Sequence, residues 1–236
     1  MSKRRWQFAF IGLLAGLAAA WWAWSPPAQA QGKVVEKPGG LVYLPDSLQE
    51  GRRYPIVFAF SPSGDAGQLI RFWRPVADQN HWIIFASKEF RNYIDMNALY
   101  PVMKSRVDTA LAQLPADKSR VVFTGMSGGG SFSHAMNFEY PGLASALIVN
   151  TGRIWEDVLE RALEQPNANW GNSRKLIVFL ASPGDFRYQE MQRDRQLLAQ
   201  RGWKVQWIEF PGGHVHAPQS VYEQAIQWIT AQPAWK

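Results

Sequence analysis

Three short segments hold the residue types that nucleophilic catalysis requires. TGMSGGGS, residues 124–131, sets the hydroxyl of Ser127 among four glycines. PGGHVHAP, residues 211–218, carries His214 and His216, and SPGDFRY, residues 182–188, carries the carboxylate of Asp185. A serine hydroxyl attacks a carbonyl only when a base takes its proton, and a carboxylate behind the base fixes its tautomer and steadies the imidazolium that forms. The glycine cluster has two competing uses. A phosphate cradle needs a lysine closing the glycines, and here Gly130 is followed by Ser131 and Phe132. A flexible joint has no reason to follow a buried strand, which the apolar run before Gly125 resembles.

The pattern GxSxG is met by Gly125, Met126, Ser127, Gly128 and Gly129. A strand-to-helix turn sharp enough to expose the serine leaves no room for side chains two residues before and two after it. The helix start that follows offers backbone N–H groups to a developing negative charge. Of the four histidines, His81 and His134 sit away from such a turn and read as structural or surface residues. His214 follows the last apolar run, and Gly212-Gly213 free the backbone to bring it over the serine. It is preferred to His216, and a metal pair at i, i+2 with no third ligand nearby is a weak site. For the acid, Asp185 is preferred to Glu156 or Asp157, because it completes the chain order Ser, Asp, His.

These groups need a scaffold, and the apolar runs describe one. Short runs lie at 40–44, 56–60, 82–87, 120–124, 146–150, 176–181 and 204–210, most of them apolar on consecutive positions, as IVFAF and LIVFLA show. That suits strands buried on both faces of a mostly parallel sheet. Helix-length segments lie between them. Residues 97–114 place Met103, Val107, Ala110, Leu111 and Leu114 on one stripe, residues 131–139 can form a helix, and 188–201 ends at Gly202, a helix stop. Ser220 and Glu223 read as a capping box for a last helix with Tyr222, Ile226 and Ile229 inward. Alternating strands and helices predict an α/β fold with helices on both faces of the sheet, and residues 153–173 leave room for a minimal cap. Ligands of such sheets bind beyond the carboxyl ends of the strands, where all three segments fall.

Composition excludes several classes. The chain has 236 residues, 47% hydrophobic, enough for one sizeable core. Its net charge of +6 owes half to Lys3, Arg4 and Arg5, and from residue 31 onward 22 basic residues face 19 acidic ones. That is no nucleic-acid footprint. The absence of cysteine removes disulfides, thiolate metal sites and cysteine nucleophiles. Residues 1–30 have a basic start, an apolar stretch from about Phe8 to Trp24, and an Ala28-Gln29-Ala30 cleavage pattern. They read as a signal peptide, with an uncleaved membrane anchor as the alternative. The expected location is the periplasm or the exterior, with the membrane reached only through an uncleaved N-terminus, and residues 31–236 form the remaining domain.

YPIVFAFSPSGDAG, DKSRVVFTGMSGGG, YPGLASALIVNTG, ASPGDF and WIEFPGGHVHAP together resemble the α/β-hydrolase group that includes secreted polyhydroxybutyrate depolymerases and feruloyl and acetylxylan esterases. The resemblance covers essentially all of the chain after residue 30. It implies a triad of Ser127, Asp185 and His214, cleavage of carboxylic esters through an acyl-enzyme, and no metal or cofactor. Where most members carry His-Gly, this chain has Ser61-Pro62. Proline has no N–H, so the implied oxyanion donors are the amides of Ser63, or Gly64, with Gly128. Arg91, Tyr93, Arg153, Trp155, Arg187 and Tyr188 fall on loops near the strand ends and would suit an aromatic or anionic ester, small or polymeric. A serine peptidase on the same fold, or a non-catalytic envelope binding protein, are the alternatives.

Overall fold

The computed structural model describes residues 32–164 and 175–235; the signal-peptide reading of residues 1–30 and the later part of the expected cap lie outside them. An eight-stranded sheet runs through the middle. Its strands are β1 (Lys33–Lys37), β2 (Gly40–Leu44), β3 (Tyr54–Phe60), β4 (Ile83–Ser87), β5 (Ala116–Met126), β6 (Ala146–Asn150), β7 (Leu176–Ala181) and β8 (Lys204–Glu209). The spatial order is β1-β2-β4-β3-β5-β6-β7-β8, with β2 antiparallel to both of its neighbours, β1 and β4, and every other neighbouring pair parallel. Strands β4, β6 and β7 are buried along their whole length, which is why their sequences are continuous apolar runs rather than alternating ones.

Among the described residues six α-helices cover the sheet: α1 (Ala66–Asn80), α2 (Met96–Gln113), α3 (Gly128–Glu139), α4 (Glu156–Glu164), α5 (Tyr188–Gln200) and α6 (Gln219–Ala231). Helices α1 and α6 build one apolar layer with Val57, Ile84 and Val178 of the sheet. Helices α2 to α5 build the other with Phe58, Phe123 and Phe179. The expected α2 stripe of Met103, Val107, Ala110, Leu111 and Leu114 is buried, and so are Tyr222, Ile226 and Ile229 of α6. Side chains start two of the helices: Asp65 accepts from the Gln68 amide at 2.8 Å and Asp95 from the Asn97 amide at 3.0 Å. Gly202, at φ 84°, ends α5 with Trp203 N–H donating to Leu198 O and Gly202 N–H to Ala199 O, a Schellman stop.

The structure departs from the sequence reading in several places. Helix α6 begins at Gln219 after Pro218, with no side-chain cap, so Ser220 and Glu223 form no capping box. Pro218, at φ −56° and ψ 151°, already turns the chain into the helix, and Ser220 falls inside its first turn. Helix α3 starts at Gly128 rather than residue 131, directly behind Ser127. Helix α1 and strand β1 were not signalled by apolar patterning. Of the expected cap, the described part is α4.

His134, on α3, is fully buried, and neither ring nitrogen has a hydrogen-bond partner among the described residues. Burial penalises the imidazolium and pushes its pKa down to about 3 from the ordinary 6.5. A depressed histidine binds a proton more readily in the unfolded chain, so its contribution is present above pH 6.5 and is lost as pH falls from there toward 3. Between pH 7 and pH 5 the unfolded state gains roughly 2 kcal/mol from this one group. The variant His134→Leu is therefore expected to lose less stability than the native protein over that interval. Urea midpoints at the two pH values measure the difference, and parallel losses would contradict this account.

Candidate active site

The strand order reverses between β3 and β5, the position at which open α/β sheets form a ligand crevice beyond their carboxyl ends. At the end of β5 the chain turns into α3 through Ser127, whose φ of 55° and ψ of −121° are a conformation that costs a side-chain-bearing residue about 1–3 kcal/mol. The surroundings hold it there. Ser127 N–H donates to Asn150 O at 2.9 Å, and Ser131 N–H donates to Ser127 O at 3.0 Å. Phe132, one turn into α3, packs edge-on against Phe60 of β3 at 4.9 Å and stacks on Phe90 at 4.4 Å. Each such aromatic pair adds about 0.5–1.5 kcal/mol beyond its buried area, so the start of α3 is pinned to the end of β3.

The structure brings together three residues from separate loops. Ser127 Oγ lies 2.7 Å from His214 Nε2, and His214 Nδ1 lies 2.8 Å from Asp185 Oδ2. The Asp185 side chain is fully buried, and its other oxygen accepts the Arg187 backbone N–H at 2.7 Å. With Nδ1–H donating to this carboxylate, Nε2 is the acceptor that faces the serine hydroxyl. His216 does not approach Ser127; its ring lies 5.0 Å from that of Phe72, and burial lowers its pKa. Glu156 pairs with Arg153 and Arg193, and Asp157 with Arg161, so neither is turned toward His214. His81 closes α1 as a left-handed cap bonded to Ser47 Oγ.

A residue that sequence patterning did not single out anchors the histidine loop. Asn150, buried at the end of β6, accepts from the Ala217 amide at 2.8 Å and from Tyr222 Oη at 2.9 Å, and its Nδ2 donates to Val215 O at 3.3 Å. Its backbone carbonyl also holds Ser127, so one residue ties the loop after β8 to the turn after β5. Its signal in the sequence is a polar side chain ending an otherwise apolar run. Ser182 Oγ adds a bond to Gly212 O at 2.6 Å, linking the acid loop to the histidine loop.

Gly128, Gly129 and Gly130 open α3, and their amides have no carbonyl four residues back to bond within the helix. The Ser61–Gly64 turn follows the end of β3, where Phe60 O lies 2.1 Å from the place a Cβ on Gly129 would take. Gly64 N–H is engaged by Ser61 O at 3.0 Å, and Ser63 N–H makes a longer 3.3 Å contact with Ser61 Oγ. Of the two amides considered there, Ser63 is thus the one less firmly held. The Asn92 amide donates to Pro62 O at 2.9 Å, and Asn92 Oδ1 lies where a Cβ on Gly128 would stand, 2.0 Å from it.

A cleft of about 320 Å³ opens beside Ser127 and Gly128, lined by Asn92, Ile94, Met96, Trp155 and Arg187. Trp155 is thus in the cleft wall, as is Tyr93 at its fully exposed rim. Arg187 lines it too, whereas Tyr188 and Arg153 are engaged elsewhere. Tyr188 Oη donates to Glu209 with its ring against Trp207, and Arg153 pairs with Glu156 and Glu190.

No protein-family model and no curated protein sequence matches the chain. Solved structures do resemble it. The serine hydrolase FphF of Staphylococcus aureus superposes with a TM-score of 0.66 at 14% identity, covering 85% of this chain and 98% of that one. FrmB of the same organism, an S-formylglutathione hydrolase, gives 0.64 at 14% identity over 84% of this chain and 96% of its own. Esterase 2 of Thermogutta terrifontis, in a form phosphonylated by sarin, gives 0.61 at 13% identity over 87% and 96%. A mostly parallel eight-stranded sheet, helices on both faces and these superpositions together establish that the chain has the α/β-hydrolase fold.

Proposed function

We propose that the protein is a serine hydrolase that cleaves carboxylic esters through an acyl-enzyme on Ser127. The observation that carries the reading is the unbroken line from Ser127 Oγ through His214 to the buried Asp185, at 2.7 and 2.8 Å. In the first half-reaction Ser127 Oγ bonds to the ester carbonyl carbon and its proton passes to His214 Nε2. The carbonyl oxygen becomes an oxyanion facing the amides of Gly128 and Ser63. Collapse breaks the bond to the alcohol, which leaves with the proton from His214. In the second half-reaction water gives a proton to His214 and its oxygen to the acyl carbon; Ser127 recovers its proton as the acid departs. Asp185 stays ionised throughout and holds the imidazole in the tautomer that accepts at Nε2.

The fold likeness to serine hydrolases and esterases supports the same chemistry. The basic-apolar N-terminus with its Ala-Gln-Ala pattern supports its taking place outside the cytoplasm. A fluorophosphonate probe tests the reading without a guess at the substrate, because it reacts with activated serines. Applied to an export-competent host making the full chain, it is expected to label Ser127 in the envelope or secreted fraction. An unlabelled, folded protein would overturn the hydrolase reading, and a labelled chain retained in the cytoplasm would overturn the export reading.

A further inference from the structure

Among the described residues lining the cleft beside Ser127, Arg187 is the one with a charge. Its guanidinium is poorly matched. Arg187 Nε is buried with no hydrogen-bond partner among the described residues, and Nη1 stands 3.9 Å from Glu190 Oε2, too far for a hydrogen bond. Glu190 lies closer to Arg153, whose Nε is 3.2 Å from it. Arg153 Nε also lacks a hydrogen-bond partner among the described residues, but that guanidinium bonds Glu156 through Nη1 at 2.8 Å, and Arg193 bonds Asp194 at 2.8 Å. Arg187 also lies over the Phe186 ring at 5.1 Å, and that ring covers His214 at 4.6 Å, so the guanidinium is held near the reacting centre. A buried donor without an acceptor is costly, and an anion brought by a ligand removes that cost while making strong charge-assisted bonds.

The rest of the wall suits the body of such a ligand. Ile94, Met96 and Trp155 are apolar, and about 320 Å³ is at the lower end for a small-molecule site. The leaving alcohol must lie against His214, which hands it a proton. The cleft bounded by Gly128, Ser131 and Trp155 therefore remains for the acyl part. We propose that the site takes half-esters of dicarboxylic acids, with the hydrocarbon body against Ile94, Met96 and Trp155 and the free carboxylate received by Arg187. This rests on the reading of Ser127 as the nucleophile, and makes Arg187 a specificity-determining residue.

Three methyl or acetate esters test it on the purified protein. Monomethyl adipate carries its anion on the acyl part, 6-acetoxyhexanoate carries it on the alcohol, and methyl hexanoate has none. Acid release is expected to show kcat/KM for monomethyl adipate at least about tenfold above the other two, as bonds to a charged group allow. In Arg187→Met the ratio of monomethyl adipate to methyl hexanoate should fall to near one, chiefly through KM, and Arg187→Lys should restore part of it. A native ratio near one, a ratio indifferent to Arg187→Met, or a preference for 6-acetoxyhexanoate would each overturn the proposal. Calorimetric binding of adipate to Ser127→Ala, lost in Ser127→Ala/Arg187→Met, reports the anion site without turnover. If adipate binds in that way while the native protein hydrolyses no ester, the anion site stands and the nucleophile assignment falls. If esters are hydrolysed but adipate does not bind and the ratio is near one, the anion site falls and the nucleophile stands.

Discussion

Replacing Ser127 by alanine is expected to lower short-chain ester hydrolysis by a factor on the order of 10⁶ in kcat, leaving only what the oxyanion donors and binding supply. Replacement of His214 by alanine should cost about as much, because its Nε2, 2.7 Å from the serine hydroxyl, is the base positioned to take that proton. Asp185→Asn keeps the shape of the acid but would favour the tautomer with the proton on Nε2, and about 10⁴ of the rate is expected to go. The three groups act as one unit, so Ser127→Ala/His214→Ala should be no slower than either single variant. His216→Ala should keep most of the activity, since that ring packs on Phe72 and not on the serine. Initial rates on a p-nitrophenyl ester check the whole series. Equal rates for the native protein and Ser127→Ala would leave a binding protein on a hydrolase scaffold, and multiplicative losses in the double variant would mean that serine and histidine do not act in one step.

Much of this arrangement was legible in the sequence, and the reason is geometric. Buried parallel strands leave continuous apolar runs, and the residues just after such runs fall at one edge of the sheet. Ser127, Asp185 and His214 could therefore be placed at one edge from their positions alone. What escaped detection was set by side-chain direction and by weak patterning. Tyr188 follows the same loop as Asp185, yet its ring turns to Trp207 and its hydroxyl to Glu209, a choice made by packing in α5 and β8. Strand β1, KVVEK, is a partly exposed edge strand whose charges interrupt any apolar run. Helix α1 contains Gly67 and Pro75, residues that ordinarily lower the expectation of a helix, but its Leu69, Ile70, Trp73, Val76 and Ala77 are all buried on the sheet. Asn150 is marked only as a polar end to an apolar run and Asn92 by nothing local, because their importance lies in contacts to loops far along the chain.

Gly129→Ala should damage the protein more than any other conservative change at the turn. Glycine to alanine inside a helix ordinarily stabilises by about 0.4–1 kcal/mol, so the sign expected from propensity alone is favourable. Here a Cβ on Gly129 would stand 2.1 Å from Phe60 O and 2.7 Å from Phe60 C, and both are backbone atoms of β3 with no rotamer to move. Gly125 meets the same obstacle from the other side, at 2.4 Å from Gly129 C and 2.6 Å from Phe60 O. Relief requires α3 to lift from the end of β3, which would break the Phe132 contacts with Phe60 and Phe90 and release Ser127 from its conformation. A loss of more than ~3 kcal/mol is expected, the scale of overpacking in a rigid core. At about 2–4 °C per kcal/mol for a domain of this size, Tm should fall by roughly 10 °C or the protein should fail to accumulate. Gly142 supplies the contrast, because a Cβ there meets nothing within 4 Å, and Gly142→Ala should melt close to the native protein. If Gly129→Ala melts as the native protein does, the close approach of α3 to β3 is not what holds the turn, and the strained serine must be kept in place by its bonds to Asn150 and Ser131 alone.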